Sequence, residues 1–306
     1  MRLKLGRPDI STYSSHVDLP DATPASPLTV TWMGVSTLLV DDGTSALLTD
    51  GFFSRPRLID VGIRKLRPSS SRIDAALSRA GIHHLDAVLP VHTHYDHAMD
   101  SAVVAQRTGA LVVGGASAVN VARGQRLSED RIRIATPGSE MELGNFGVTL
   151  IESHHCPPDR FPGSITVPVV PPVRASAYRC GEAWSTLVHH RPSGHRLLIQ
   201  GSAGFATGAL AGRRAEVAYL GVGQLGVQPE RYIRQYWNET VRAVGARLVV
   251  LIHWDDFFRP LTKPLRALPY AGDDLDVTMR VLTALAERDG VTVHLPSLWQ
   301  RGDPWM

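Results

Sequence analysis

Short apolar runs separated by Gly, Pro and Asp set the rhythm of this chain, and their period changes along it. At residues 28–34, 36–40 and 46–50, β-branched, aromatic and aliphatic side chains gather in runs of strand length. The Asp41-Asp42-Gly43-Thr44 turn joins the last two of these into an antiparallel opening meander. Residues 85–91, 110–114, 131–134, 146–153, 184–190, 195–200, 215–220, 247–252 and 291–295 also read as strands. Helical spacing predicts helices over 73–80, 98–105, 117–123, 229–244 and 275–288, with Gly81 and Gly124 closing two of them and Pro229 opening a third. Strands interleaved with helices predict an α/β architecture.

Three stretches lack a period. Residues 1–27 are rich in Pro, Ser and Asp and read as an irregular arm lying on the domain, without identifiable chemistry. Residues 52–71 begin Phe52-Phe53-Ser54-Arg55-Pro56-Arg57 and read as a loop able to contact an anionic or lipid-like substrate. Residues 157–172 are Pro-rich and too long for a hairpin turn, so with Phe161 among them they read as a lid or binding loop.

Composition narrows the class without naming a function. Hydrophobic residues at 43% and charged residues at 20% are those of an ordinary soluble globule, which excludes disordered and fibrous classes. The formal net charge is only +3, and Lys and Arg are scattered, so there is no strong nucleic-acid signal. The first residues lack the apolar core of a signal peptide, and no stretch approaches the ~20 apolar residues of a membrane span. A cytoplasmic location is therefore expected. Two cysteines, Cys156 and Cys180, are too few for a disulfide framework, and Cys156 stands beside a candidate ligand, where a thiolate role is an option.

Chemistry concentrates at His92-Thr93-His94-Tyr95-Asp96-His97, between a predicted strand and a predicted helix. Imidazole nitrogen and carboxylate oxygen suit zinc and other borderline divalent ions. In extended chain His92 and His94 point to the same side, whereas Asp96 and His97 follow the turn. Two adjacent ions are the natural reading. The lone histidines His83, His84, His189, His190 and His195 read as solvated or singly hydrogen-bonded. Neither a Gly-x-Ser-x-Gly nucleophile elbow nor a phosphate-binding P-loop is present.

A strand followed by His-x-His-x-Asp-His resembles the metallo-β-lactamase-fold superfamily, mostly metal-dependent hydrolases built as a four-layer αββα sandwich. The resemblance spans roughly residues 28–295 and implies a single domain over 28–306 whose two halves form a pseudo-repeat. Trp32, Gly34, Thr37 and Asp50 resemble the branch containing ascorbate-6-phosphate lactonase and the phospholipase D that hydrolyses N-acylphosphatidylethanolamine. Val35 and Gly51 depart from that branch, where His and Pro are common.

The resemblance implies the remaining ligands. His155 would join His92 and His94 on the first ion, with His154 as the alternative, and His253 at the end of a late strand would join Asp96 and His97 on the second. Asp50 would lie behind the site and orient a ligand. Ser202 stands where an Asp bridging both ions is usual, although one subclass of the metallo-β-lactamases carries Ser there and still binds two zincs. Two Zn²⁺ ions are expected, with Mn²⁺ or Fe as alternatives. The implied reaction is hydrolysis of a phosphodiester, phospholipid or lactone by a metal-activated water that Asp96 orients, on a small-molecule or phospholipid-like substrate. The competing readings are a mononuclear iron oxygenase of the same fold and a non-catalytic metal- or ligand-binding protein.

Overall fold

A computed structural model describes residues 4–306. The opening meander forms as β1 (Thr29–Trp32), β2 (Leu38–Asp41) and β3 (Ala46–Thr49), and β4 (Ala87–Leu89), β5 (Leu111–Gly114) and β6 (Ile132–Ile134) extend it in parallel. A second sheet starts antiparallel with β7 (Glu140–Leu143), β8 (Phe146–Ser153), β9 (Ala183–His190) and β10 (Arg196–Gln200). It continues in parallel with β11 (Val217–Gly221), β12 (Leu248–Ile252) and β13 (Thr292–His294). The chain then returns to the first sheet, where β14 (Arg301–Gly302) pairs with β1. Each sheet has seven strands, antiparallel at one side and parallel at the other, so the two halves of the chain repeat one plan.

Strand periodicity explains why the sheets stack. Leu38, Val40 and Leu47 enter the large core between the sheets, while Leu39 and Leu48 enter a second core beneath α2 (Ser70–Ala80) and α4 (Ser101–Thr108). By contrast, Leu197, Leu198 and Ile199 of β10 and Val249 to Ile252 of β12 all join the large core. Continuous apolar strands of that kind are covered on both faces. Their outer cover comes from α6 (Glu230–Trp237) and α7 (Leu275–Asp289), which supply Ile233, Tyr236, Leu282 and Leu285. The layers run helix, sheet, sheet, helix in one domain.

Several expectations need adjusting. The 52–71 loop contains a short helix, α1 (Leu58–Ile63). Asp96 and His97 lie inside a helical turn, α3 (Tyr95–Ala98), rather than on a loop. Gly124 is the last residue of α5 (Ala116–Gly124), not a cap beyond it: a Cβ there would sit 1.9 Å from the Val169 carbonyl, so glycine lets the 157–172 loop pack on that helix. The helix expected over 229–244 passes from α6 into a π-helical turn, Asn238–Arg242, where the Thr240 hydroxyl donates to the Tyr236 carbonyl at 2.6 Å. The N-terminal arm contains the 3₁₀ segment Ile10–His16 and is tied down by Tyr13 donating to Asp276 and by Asp18 beside His294.

Candidate metal centre

Strand ends deliver the site. Asp50 follows β3, His92 to His97 follow β4, His155 follows β8, Ser202 follows β10 and His253 follows β12. All of these strands except β8 have a parallel neighbour, and ligand sites at the carboxyl ends of parallel strands are the rule for such sheets. Two of the corners hold residues with left-handed backbone, Asp50 at φ 54° and His253 at φ 61°. A third such residue, the β-branched Val35 at φ 49°, lies beside them. Strain of this kind persists only where neighbours fix it. The Val35 amide donates to Asp255 at 2.9 Å, and the Val35 carbonyl accepts from the His253 amide and the Trp32 indole, each at 2.9 Å.

Two sets of three side chains result, and within each set one ligand atom per residue lies within 4.8 Å of the others. The first set is His92, His94 and His155. His92 Nε2 and His94 Nδ1 are 3.1 Å apart, close to the ~3.3 Å that separates two nitrogens each about 2.0–2.1 Å from one tetrahedral centre. The second set is Asp96, His97 and His253, with Asp96 Oδ2 at 3.6 Å from Nε2 of each imidazole. The sets are neighbours: the His92 and His97 rings are 3.9 Å apart between centroids. His155 turns toward the first set, while His154 is exposed.

The residues fit divalent ions on three counts. His97 Nε2 is buried without a hydrogen-bond partner, a costly state for a polar atom unless a ligand meets it. Two of the nitrogens facing away from the sets are hydrogen-bonded from behind, His97 Nδ1 to Asp50 at 2.7 Å and His155 Nδ1 to the Cys156 carbonyl at 2.6 Å, whereas His94 Nε2 lies 3.1 Å from Asp159 without a hydrogen bond and His92 Nδ1 and His253 Nδ1 have no partner. Partners of this kind fix the tautomer and raise ligand basicity. Protonation agrees for four of the five imidazoles, with His97 the exception. Burial first, and then neighbouring imidazoles, hold His92 far below its usual range and His155 down to about 4; burial likewise lowers His94 and His253. Metal-binding imidazoles must be neutral. Burial opposes charge on Asp96 and His97 as well, but Asp96 stays ionised against His97 and His253, and His97 is raised by Asp50 and Asp96.

Asp50 also accepts from the Val91 amide at 2.8 Å and the Ser36 hydroxyl at 2.6 Å. Asp50→Asn keeps the shape and removes the charge behind His97, so metal affinity is expected to fall about 10–100-fold, read by competition with a chelating dye.

Ser202 lines the cavity above the sets, and its hydroxyl accepts from the Cys156 amide at 3.0 Å. A thiolate role for Cys156 is not supported: the residue belongs to neither set, and burial raises its thiol above the usual range. Instead Cys180 lies with Asp159 behind His94. Arg55 and Phe52 are not at the mouth but wholly buried, Arg55 in an ion pair with Asp255. Asp256, also buried, pairs with Arg7 and Arg266. Sequence reasoning missed Asp100, whose buried carboxylate accepts from the Phe53 and Ser54 amides and pins the segment before α1. It also missed Asp159 and Ser36; Asp100 and Asp159 each follow a stretch singled out for other residues.

The two sets open into a cavity of about 920 Å³. Phe161, Phe257 and Phe258 supply apolar wall, Arg160 and Arg174 supply positive charge, and Arg266 is paired there with Asp256. The arm contributes Arg7 to that wall.

Comparison with known proteins bears on the fold. No family model matches the chain. A UPF0173 metal-dependent hydrolase of Rhizobium leguminosarum bv. trifolii is 29% identical over 126 residues, 41% of this chain and 47% of that protein. The match thus spans about half the length of the curated relative. Among solved structures, the metallo-β-lactamase fold protein YhfI of Bacillus subtilis superposes with a TM-score of 0.50 over 90% of this chain and 98% of its own, at 14% identity. CmlA, a diiron β-hydroxylase of Streptomyces venezuelae, gives 0.55 over 92% of this chain and 54% of its own, at 13% identity. The chain therefore has the metallo-β-lactamase fold. In sequence it is similar, over part of its length, to metal-dependent hydrolases.

Proposed function

We propose that the protein is a metal-dependent hydrolase that uses two divalent ions, zinc foremost, to cleave an ester-type bond in a phosphodiester, a phospholipid or a lactone. His92, His94 and His155 would hold one ion, and Asp96, His97 and His253 the other. The observation that carries this reading is the pair of three-residue sets side by side on one cavity, buried except for the half-buried His155, with His97 and His155 hydrogen-bonded from behind. When bound, such ions supply a water acidified from about 15.7 to about 7 and a Lewis acid for the scissile oxygen.

The chain's own residues do the rest. Asp96, ionised at the cavity floor, accepts a hydrogen bond from the attacking water and sets its direction. Arg160 and Arg174 draw an anionic ester into the cavity and orient it. Phe161, Phe257 and Phe258 exclude bulk water and receive an apolar substituent. Residues 28–306 form the catalytic domain in this reading, with 1–27 as an arm. Both cysteines are free and buried, which supports a reducing, cytoplasmic setting. No helix among the described residues is long and apolar enough to cross a membrane.

Elemental analysis of protein purified without chelator or added metal, with a panel of phosphodiester, phospholipid and lactone substrates, tests the proposal. Two zincs per chain and turnover that chelation removes and zinc restores are expected. One iron with oxygen uptake would select the oxygenase, retained metal without turnover would select a binder, and a chain without metal would overturn the reading.

A further inference from the structure

Ten large hydrophobic side chains are exposed among the described residues, and five of them sit in two segments, α1 and the 157–172 loop. They are Leu58 at 62%, Ile59 at 60%, Ile63 at 65%, Val167 at 67% and Val170 at 62%. The segments are bonded to each other: Leu66, just past α1, donates to the Val173 carbonyl at 2.6 Å and accepts from the Val173 amide at 3.0 Å. Helix α1 has no buried residue. At 100° per residue Leu58, Ile59 and Ile63 fan across one side, while Val61 points to the core of Phe52, Leu66 and Tyr95. An aliphatic face left in water beside a cavity marks an interaction surface.

Charge says what covers it. Arg57, Arg64, Lys65 and Arg67 are exposed around α1, against the single carboxylate of Asp60, so this short segment carries as much net positive charge as the whole chain. A second copy packed symmetrically on this face would set these cations against themselves. We infer that α1 and the adjoining 157–172 loop dock on an anionic lipid bilayer, with Ile59 and Ile63 entering the headgroup boundary and the cations meeting lipid phosphates. Aliphatic side chains and flanking cations are the two signals that reversible bilayer attachment needs together. Leu58, Val61 and Gly62 of the same helix line the cavity, so docking would present the cavity mouth to lipid.

The full-length chain, with and without chelator, is spun with phosphatidylcholine vesicles and with vesicles containing 30% phosphatidylglycerol. Binding to the anionic vesicles alone is expected, independent of chelator, weakened by salt, and lowered about tenfold or more in Ile59→Glu/Ile63→Glu. Both sites are exposed, so the variant should keep its melting temperature and metal content, which are measured alongside. Sedimentation with neither vesicle overturns the inference, as does equal binding by the variant. Self-association of the wild type that the variant loses, without vesicle binding, would assign the face to a second copy and overturn it equally. Because the assay does not depend on metal or turnover, its failure is separable from failure of the hydrolase reading.

Discussion

Alanine at His155 is expected to lower kcat/KM by about three orders of magnitude or more and to release one ion per chain, whereas alanine at His154 leaves both unchanged. Three orders correspond to roughly 4 kcal/mol of transition-state stabilisation, the scale on which losing one of three ligands and the geometry it holds should register. The contrast follows from where the two side chains lie. Just past the end of β8, His155 joins His92 and His94 while its neighbour His154 is exposed. His155 is also the only one of the two held from behind, by Nδ1 donating to the Cys156 carbonyl at 2.6 Å. Gly204 holds the neighbouring backbone in place, since a Cβ there would lie 2.0 Å from the His154 carbonyl. Metal content by elemental analysis and kinetics on the best substrate check the pair. Loss in His154→Ala with retention in His155→Ala would move the third ligand by one residue and break the first set.

Much of this was legible because local chemistry and periodicity agree. His92 to His97 are adjacent in sequence, and β3, β4 and β12 announce themselves by apolar runs that end at Asp50, His92 and His253. What could not be read is set by partners distant in the chain. Arg55 looks like any loop arginine until Asp255, two hundred residues away, is placed beside it. Asp159 lies in a Pro-rich loop without a period, and only the fold brings it 3.1 Å from His94. β7 is an edge strand of four residues and β14 has two, too few to carry a pattern. Helix α1 was hidden for a related reason: of its apolar residues only Val61 packs on the core, so its apolar spacing did not mark a buried face.

Arg55→Met is expected to destabilise the fold by about 3–5 kcal/mol, the range for removing one partner of a buried ion pair. At about 2–4 °C per kcal/mol for a chain of this order, the melting temperature should drop by roughly 10 °C. Both side chains are 0% exposed, so methionine leaves Asp255 as an unpaired charge out of reach of water. Its guanidinium also donates to the Arg259 and Asp256 carbonyls at 2.7 and 3.0 Å, which lose their partners too. The damage should travel to the second ion. Asp255 anchors the Val35 amide, Val35 is held at φ 49°, and its carbonyl accepts from the amide of His253, itself at φ 61°. Loosening that chain releases strain at the residue that closes the second set, so occupancy of that ion should fall while the first is retained. The companion variant Arg55→Met/Asp255→Leu separates the two effects: replacing both charges by apolar groups should recover most of the melting temperature, but not the hold on Val35. If the double variant were no more stable than Arg55→Met, the loss would lie in packing against Gly34, where a Cβ would come within 2.4 Å of the guanidinium, and not in the stranded carboxylate.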